Sequence, residues 1–136
     1  MAMWIEENCI CKVATVEDFN SQGAAATETV LYTVPTGKKF YPMFVLMNEI
    51  TASMATCVVT FGKGGGACDE FRGDVTLTYL NGTTKYAIIH MQNATRNIPD
   101  GGVVLTAGQS FSIEVTTADA DGGYADIDVF GILKNA

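Results

Sequence analysis

Charge is scarce in this chain. Lys, Arg, Asp and Glu make up 17% of its 136 residues, against 48% hydrophobic. A lone soluble monomer usually carries more, so some apolar surface is expected to pack on another chain; a thick core beneath a threonine-rich surface is the alternative. Basic residues are the scarcer sign, eight against fifteen acidic ones, for a net charge of −7. They are scattered and form no stripe that would displace counterions from phosphate, which argues against a nucleic-acid partner. No apolar run reaches the roughly 18–20 residues of a spanning helix, so no membrane partner is expected. The opening Met-Ala-Met-Trp-Ile-Glu-Glu lacks a basic start and an apolar signal core, and the expectation is synthesis and maturation in the cytoplasm. The sequons at Asn81 and Asn93 then mark only polar loops.

Groups that do chemistry are equally few. The one histidine, His90, lies between Ile89 and Met91 with no serine elbow nearby, and reads as structural or surface-lying. Gly62-Lys63-Gly64-Gly65-Gly66 lacks the lysine followed by Ser or Thr that closes a phosphate loop, so it reads as a mobile surface loop. Asp119, Asp121, Asp126 and Asp128 surround a Gly-Gly turn, but the spacing and closing glutamate of a calcium hand are missing. No carboxylate pair sits among apolar neighbours that would raise one pKa for acid catalysis. Cys9, Cys11, Cys57 and Cys68 allow three pairings, and a reducing compartment favours free thiols. The Cys57 to Cys68 spacing is too long for a zinc knuckle. The expectation is a protein with no catalytic residue, no cofactor and no metal, and not an enzyme.

What is present is β-pattern. Residues 29–47 hold two strand-like runs around the turn Pro35-Thr36-Gly37, where proline presets φ and glycine supplies the unusual angle. In the first run Val30, Tyr32 and Val34 alternate with Thr29, Leu31 and Thr33, which places one set inward. The second, residues 40–47, is apolar except at Pro42 and suits a strand covered on both sides. Pro42, without an amide hydrogen, is expected at a bulge or an edge. Further strands are expected over 54–61, with Cys57, Val59 and Phe61 on one side, over 75–79, 85–91 and 103–106, and at Phe111, Ile113 and Val115. The last has Ile127, Val129 and Gly131 inward and Asp126 and Asp128 outward. Asn81-Gly82 is the strongest hairpin signal, and residues 93–102 read as a loop. Residues 1–16 are a first strand of the same sandwich or an arm that adds to a neighbour's sheet edge. Eight or nine short strands, no convincing helix and no internal repeat predict an all-β antiparallel jelly-roll β-sandwich of about eight strands, one domain over 1–136. An immunoglobulin sandwich expects a tryptophan in its third strand, and the only one here is Trp4.

The segment Val30-Leu-Tyr-Thr-Val-Pro-Thr-Gly-Lys-Lys-Phe-Tyr-Pro42 resembles a phrase found in small β-sandwich structural proteins of tailed bacteriophages. The runs at 105–117 and 125–133 are similar to the end of such modules, so the resemblance covers about half the chain. It implies a head decoration, or cement, protein on the outer capsid surface of the virion, binding the major capsid protein and itself as a dimer or trimer. Low charge and long loops fit many weak contacts multiplied by symmetry. The expected contact residues are Met3, Trp4 and Ile5 in the N-terminal segment, and Lys63, Gly64, Gly65, Phe71 and Arg72 in the long irregular stretch 62–74. The alternative is a tail, baseplate or head-fibre adhesin domain whose Tyr79, Tyr86 or Tyr124 stacks on host glycan. A cupin-like enzyme would want several histidines.

Overall fold

The computed structural model describes residues 9–23, 27–91, 104–120 and 122–136. It is all-β, and no helix occurs among these residues. Nine strands follow in chain order: β1 (Cys11–Asn20), β2 (Thr27–Thr33), β3 (Lys38–Asn48), β4 (Val58–Lys63), β5 (Arg72–Thr76), β6 (Ala87–His90), β7 (Leu105–Thr106), β8 (Ser110–Thr117) and β9 (Tyr124–Asn135). They form two antiparallel sheets. The first has the order β1-β9-β3-β6, with the two-residue β7 also paired to β3; the second has the order β2-β8-β4-β5. The sheets pack as a sandwich, and the inward residues of both meet in one apolar cluster.

Phe111 on β8 is the middle of that cluster. Its ring lies edge-on to Phe40 from the opposite sheet at 6.3 Å and edge-on to Phe71 at 5.6 Å, and stacks with Phe61 at 6.1 Å. The expected inward sets at Phe111, Ile113 and Val115, at Cys57, Val59 and Phe61, and at Ile127 and Val129 are all at most 1% exposed.

Turn chemistry behaves locally as written. Gly37 has φ +78°, and Lys38 N–H donates to the Pro35 carbonyl at 3.2 Å. Pro42 lies at a bulge: the register on β9 slips between Pro42 and Phe44, leaving Met43 as the extra residue. Neither β7, which pairs at Lys39 and Phe40, nor β6, which begins at Phe44, reaches Pro42, so its missing donor breaks no ladder bond there. Gly131 lies opposite, where any Cβ would strike the Phe40 ring and the Tyr41 carbonyl.

Three expectations are corrected. The strict alternation in β2 fails because the register with β8 slips between Val30 and Tyr32. Leu31 therefore turns inward beside Val34, and Val30 is left half exposed. The first strand extends past the expected 1–16 segment, since β1 runs to Asn20 through two register slips and a positive φ at Asp18. Asn81-Gly82 does not make a hairpin. β5 and β6 belong to different sheets, so the connection crosses the sandwich instead of reversing within one sheet. It is pinned on the way by Leu80, fully buried, whose carbonyl accepts from Met54 N–H at 2.8 Å. Burial of leucine outweighs a local turn preference. The loop expected over 93–102 lies outside the described residues.

Candidate functional surfaces

The Gly-rich connection from β4 to β5 is strapped down rather than free, because it folds back over the outer face of the second sheet. A Cβ on Gly62 would meet Glu70 and the backbone of Cys68 and Asp69, so only glycine allows the return. The strap is held at several points. Glu28 Oε2 accepts from Gly65 N–H at 3.0 Å, Glu70 Oε2 from Lys63 N–H at 2.9 Å, and the Ser110 carbonyl from Gly64 N–H at 3.0 Å. Cys68, with φ 53°, is fully buried beneath it and donates its S–H to the Ser112 carbonyl at 3.4 Å. Burial first, then the carboxylates of Glu28, Glu114 and Glu70, push this thiol up to about 12. Two hydroxyls on the same face, Thr60 Oγ1 and Ser112 Oγ, are buried without a hydrogen-bond partner among the described residues.

This geometry divides the expected contact set. Lys63 and Gly64 line a shallow groove of about 360 Å³ with Glu28, Val30, Gly108, Gln109 and Ser110. Gly65 is exposed with φ +85°. Phe71 is 1% exposed and belongs to the core, so it offers nothing to a partner; its N–H bonds the Phe61 carbonyl and draws the ring inward. Arg72 stands elsewhere, in a groove of about 200 Å³ between the edge strands β5 and β6, with Val75, Leu77, Tyr79, Ile88 and His90. Its Nη1 reaches the His90 carbonyl at 3.5 Å. Among the described residues, Tyr79 at 82% and Tyr86 at 66% are the most exposed large hydrophobic side chains. Met3, Trp4 and Ile5 lie outside the described residues.

The remaining candidates are dispersed. His90 is exposed on the outer face of the first sheet against the Phe44 ring at 6.0 Å. Cys68 is under the strap on the opposite face, and Cys57 is in the core with its thiol raised to about 11 by burial and by Asp119. A Cys–His pair is thereby excluded for either thiol. Cys9 and Cys11 are exposed and free. The aspartates bind separate partners: Asp119 accepts from Thr56 N–H at 3.2 Å, Asp126 from Asp18 N–H at 3.2 Å, and Asp128 from Thr15 Oγ1 at 2.6 Å. Among the described residues, no three His, Cys, Asp or Glu side chains converge as metal ligands.

The surface that the sequence reading missed is the outer face of the first sheet. Phe40, Val45 and Met47 of β3 point into the core, so Tyr41, Phe44 and Leu46 point out. Their register partners on β9 are Ile132, Phe130 and Asp128, and on β6 His90 faces Phe44 and Ile88 faces Leu46. Phe44 and Phe130 stack at 4.7 Å with planes 14° apart. Lys134 Nζ lies 5.6 Å from the Tyr41 ring centroid, a cation over an aromatic face. Tyr41, Phe44, Leu46, Phe130 and Ile132 are half-buried, while Ile88 is 52% exposed. The signal was present in residues 40–47, whose apolarity at every position but Pro42 announces two covered faces where the core covers only one.

Comparison of the chain with protein-family models and with curated proteins finds no match to either.

Proposed function

We propose that the chain is a jelly-roll structural protein of a virion, a capsid decoration protein that binds the outer capsid surface and ties neighbouring capsomers together. The observation that carries this reading is the strand order. With β7 set aside, β1-β9-β3-β6 faces β2-β8-β4-β5, the order given by two interleaved Greek keys wound into a jelly roll. The phage-like phrase at 30–42 supplies the end of β2, the Pro35-Thr36-Gly37 turn and the start of β3, which is the step from one sheet to the other. Such a block presents loops and sheet faces to many neighbours at once, and symmetry multiplies weak contacts into avidity. The major capsid protein is the proposed partner and the capsid surface the proposed location. Purified protein pelleted with undecorated heads of its own virion should bind saturably, at a fixed number per capsomer. Heads that pellet without it would defeat the proposal.

The β5–β6 groove favours a second reading, a glycan-binding adhesin. Tyr79 offers an exposed ring face beside Arg72, His90 and Ile88, the mixture of apolar platform and polar edge that a sugar requires. A glycan array probed with the protein and with Tyr79→Ala should give hits that the substitution removes.

A further inference from the structure

We infer that the outer face of the first sheet is a homodimer interface, on which a second copy of this chain packs face to face. The inference stands on the sheet alone and does not require a virion. Along β9 the outward residues are Asp126, Asp128, Phe130, Ile132 and Lys134. The antiparallel register sets Asn48 beside Asp126, Leu46 beside Asp128, Phe44 beside Phe130, Tyr41 beside Ile132 and Lys39 beside Lys134. Across β3 and β9 the face is thus acidic at one end, apolar and aromatic in the middle, and basic at the other, with exposed Lys12 of the edge strand β1 beside Phe130 at its margin.

That pattern is complementary to itself in only one of two simple arrangements. A two-fold axis between the sheets and parallel to the strands would lay aspartate on aspartate and lysine on lysine. An axis perpendicular to the strands turns one copy end for end. Asp126 and Asp128 of each copy then meet Lys134 and Lys39 of the other, and the Phe44–Phe130 stacks meet in the middle. An isologous interface requires this kind of self-match, and like charges brought together would reject the alternative. A partner of different sequence would need no such antisymmetry.

The size is adequate. Four strands about 4.8 Å apart span roughly 19 Å, and residues 126–134 span roughly 30 Å. The footprint is on the order of 500 Å² per copy, or about 1,000 Å² in total, where specific interfaces begin. Facing sheets set about 10 Å apart would bury the rings that are half-buried in one copy.

Charge reversal tests the arrangement. Sedimentation equilibrium of the full chain at micromolar concentration should give a dimer. Asp128→Lys places base against base at both symmetric contacts and Lys134→Glu places acid against acid, so each variant alone should weaken the dimer by at least about tenfold. Mixed together, the two variants should recover a heterodimer, since each then meets its opposite. Ile88→Asp, at a site already half exposed, should also weaken association while circular dichroism stays that of the parent. A monomeric wild type, a dimer indifferent to the reversals, or variants that fail to recover on mixing would overturn the inference.

Discussion

On the outside of the second sheet, β8 and β4 present Ser110, Ser112, Glu114, Thr116, Thr60 and Gly62; on the outside of the first, β3 and β9 present Tyr41, Phe44, Leu46, Phe130 and Ile132. The first of these faces is roofed by the chain's own strap, with Gly62, Thr60 and Ser112 buried beneath it. The other offers half-buried aromatics. In β8 every second residue is polar, so one face is finished with hydroxyls and carboxylates. In β3 the alternation is lost, and the surplus apolar set has no place in the core. The difference teaches that regular alternation marks a face completed by the described residues, whereas its loss leaves an apolar face that they do not cover.

The most damaging way to test this contrast is to remove what both faces share. Phe111→Ala deletes the ring that joins Phe40 of one sheet to Phe61 and Phe71 of the other. The expected loss is about 3–5 kcal/mol in urea unfolding. A loss under about 1 kcal/mol would mean that the sheets do not depend on a common centre.

A more selective change lifts only the roof. Gly62→Ala drives a methyl group into Glu70 and the Cys68 backbone, and should cost about 1–3 kcal/mol. It should also speed labelling of Cys68 by a thiol reagent, while Cys9 and Cys11, exposed in the parent, react at unchanged rates. If Cys68 stays as protected as before, the strap is not what covers that face.

Alkaline pH tests the roof and the core together. Both buried thiols are raised from the ordinary value of 9.0, Cys57 to about 11 and Cys68 to about 12. Below about pH 9 native and unfolded chains both keep these protons, and the contribution to stability is whole. Above it the unfolded thiols ionise while the native ones do not. Stability should therefore fall as pH rises from about 9 toward 11 and 12, by at most about 1.4 kcal/mol per pH unit for each thiol. Unfolding curves of a Cys57→Ala, Cys68→Ser variant should show a flatter alkaline limb; an unchanged slope would place the effect elsewhere.

Legibility followed the same divide. Where one segment decides its own geometry, the sequence was readable: the Pro35-Thr36-Gly37 turn, the bulge at Pro42, and the inward sets of β4, β8 and β9 came directly from residue types. Where distant segments compete, it was not. Leu31 faces inward only because β8 shifts its register, and Asn81-Gly82 loses its hairpin because Leu80 is worth more in the core. Phe71 was assigned to the surface with its glycine-rich neighbours, yet Phe61 and Phe111 claim it. The apolar outer face was written plainly in residues 40–47, but a run covered on both sides does not say whether its second cover is the same chain.

The smallest expected effect sharpens the comparison most directly, by making the apolar face resemble the hydroxyl face at one position. Ile88 is 52% exposed and sits opposite Leu46 on the outer side of β6. Threonine keeps the β-branch that suits a strand, so Ile88→Thr adds no backbone cost and leaves no cavity in the core. Monomer stability in urea should move by no more than about 0.5 kcal/mol. If the side chain is present for a partner, self-association should weaken while folding stays the same. If instead it contributes to the fold, stability should fall by the 1 kcal/mol or more expected for a packed aliphatic, with association unchanged. The two readouts move in opposite patterns, so a single substitution separates a face awaiting cover from one that is merely poorly hydrated.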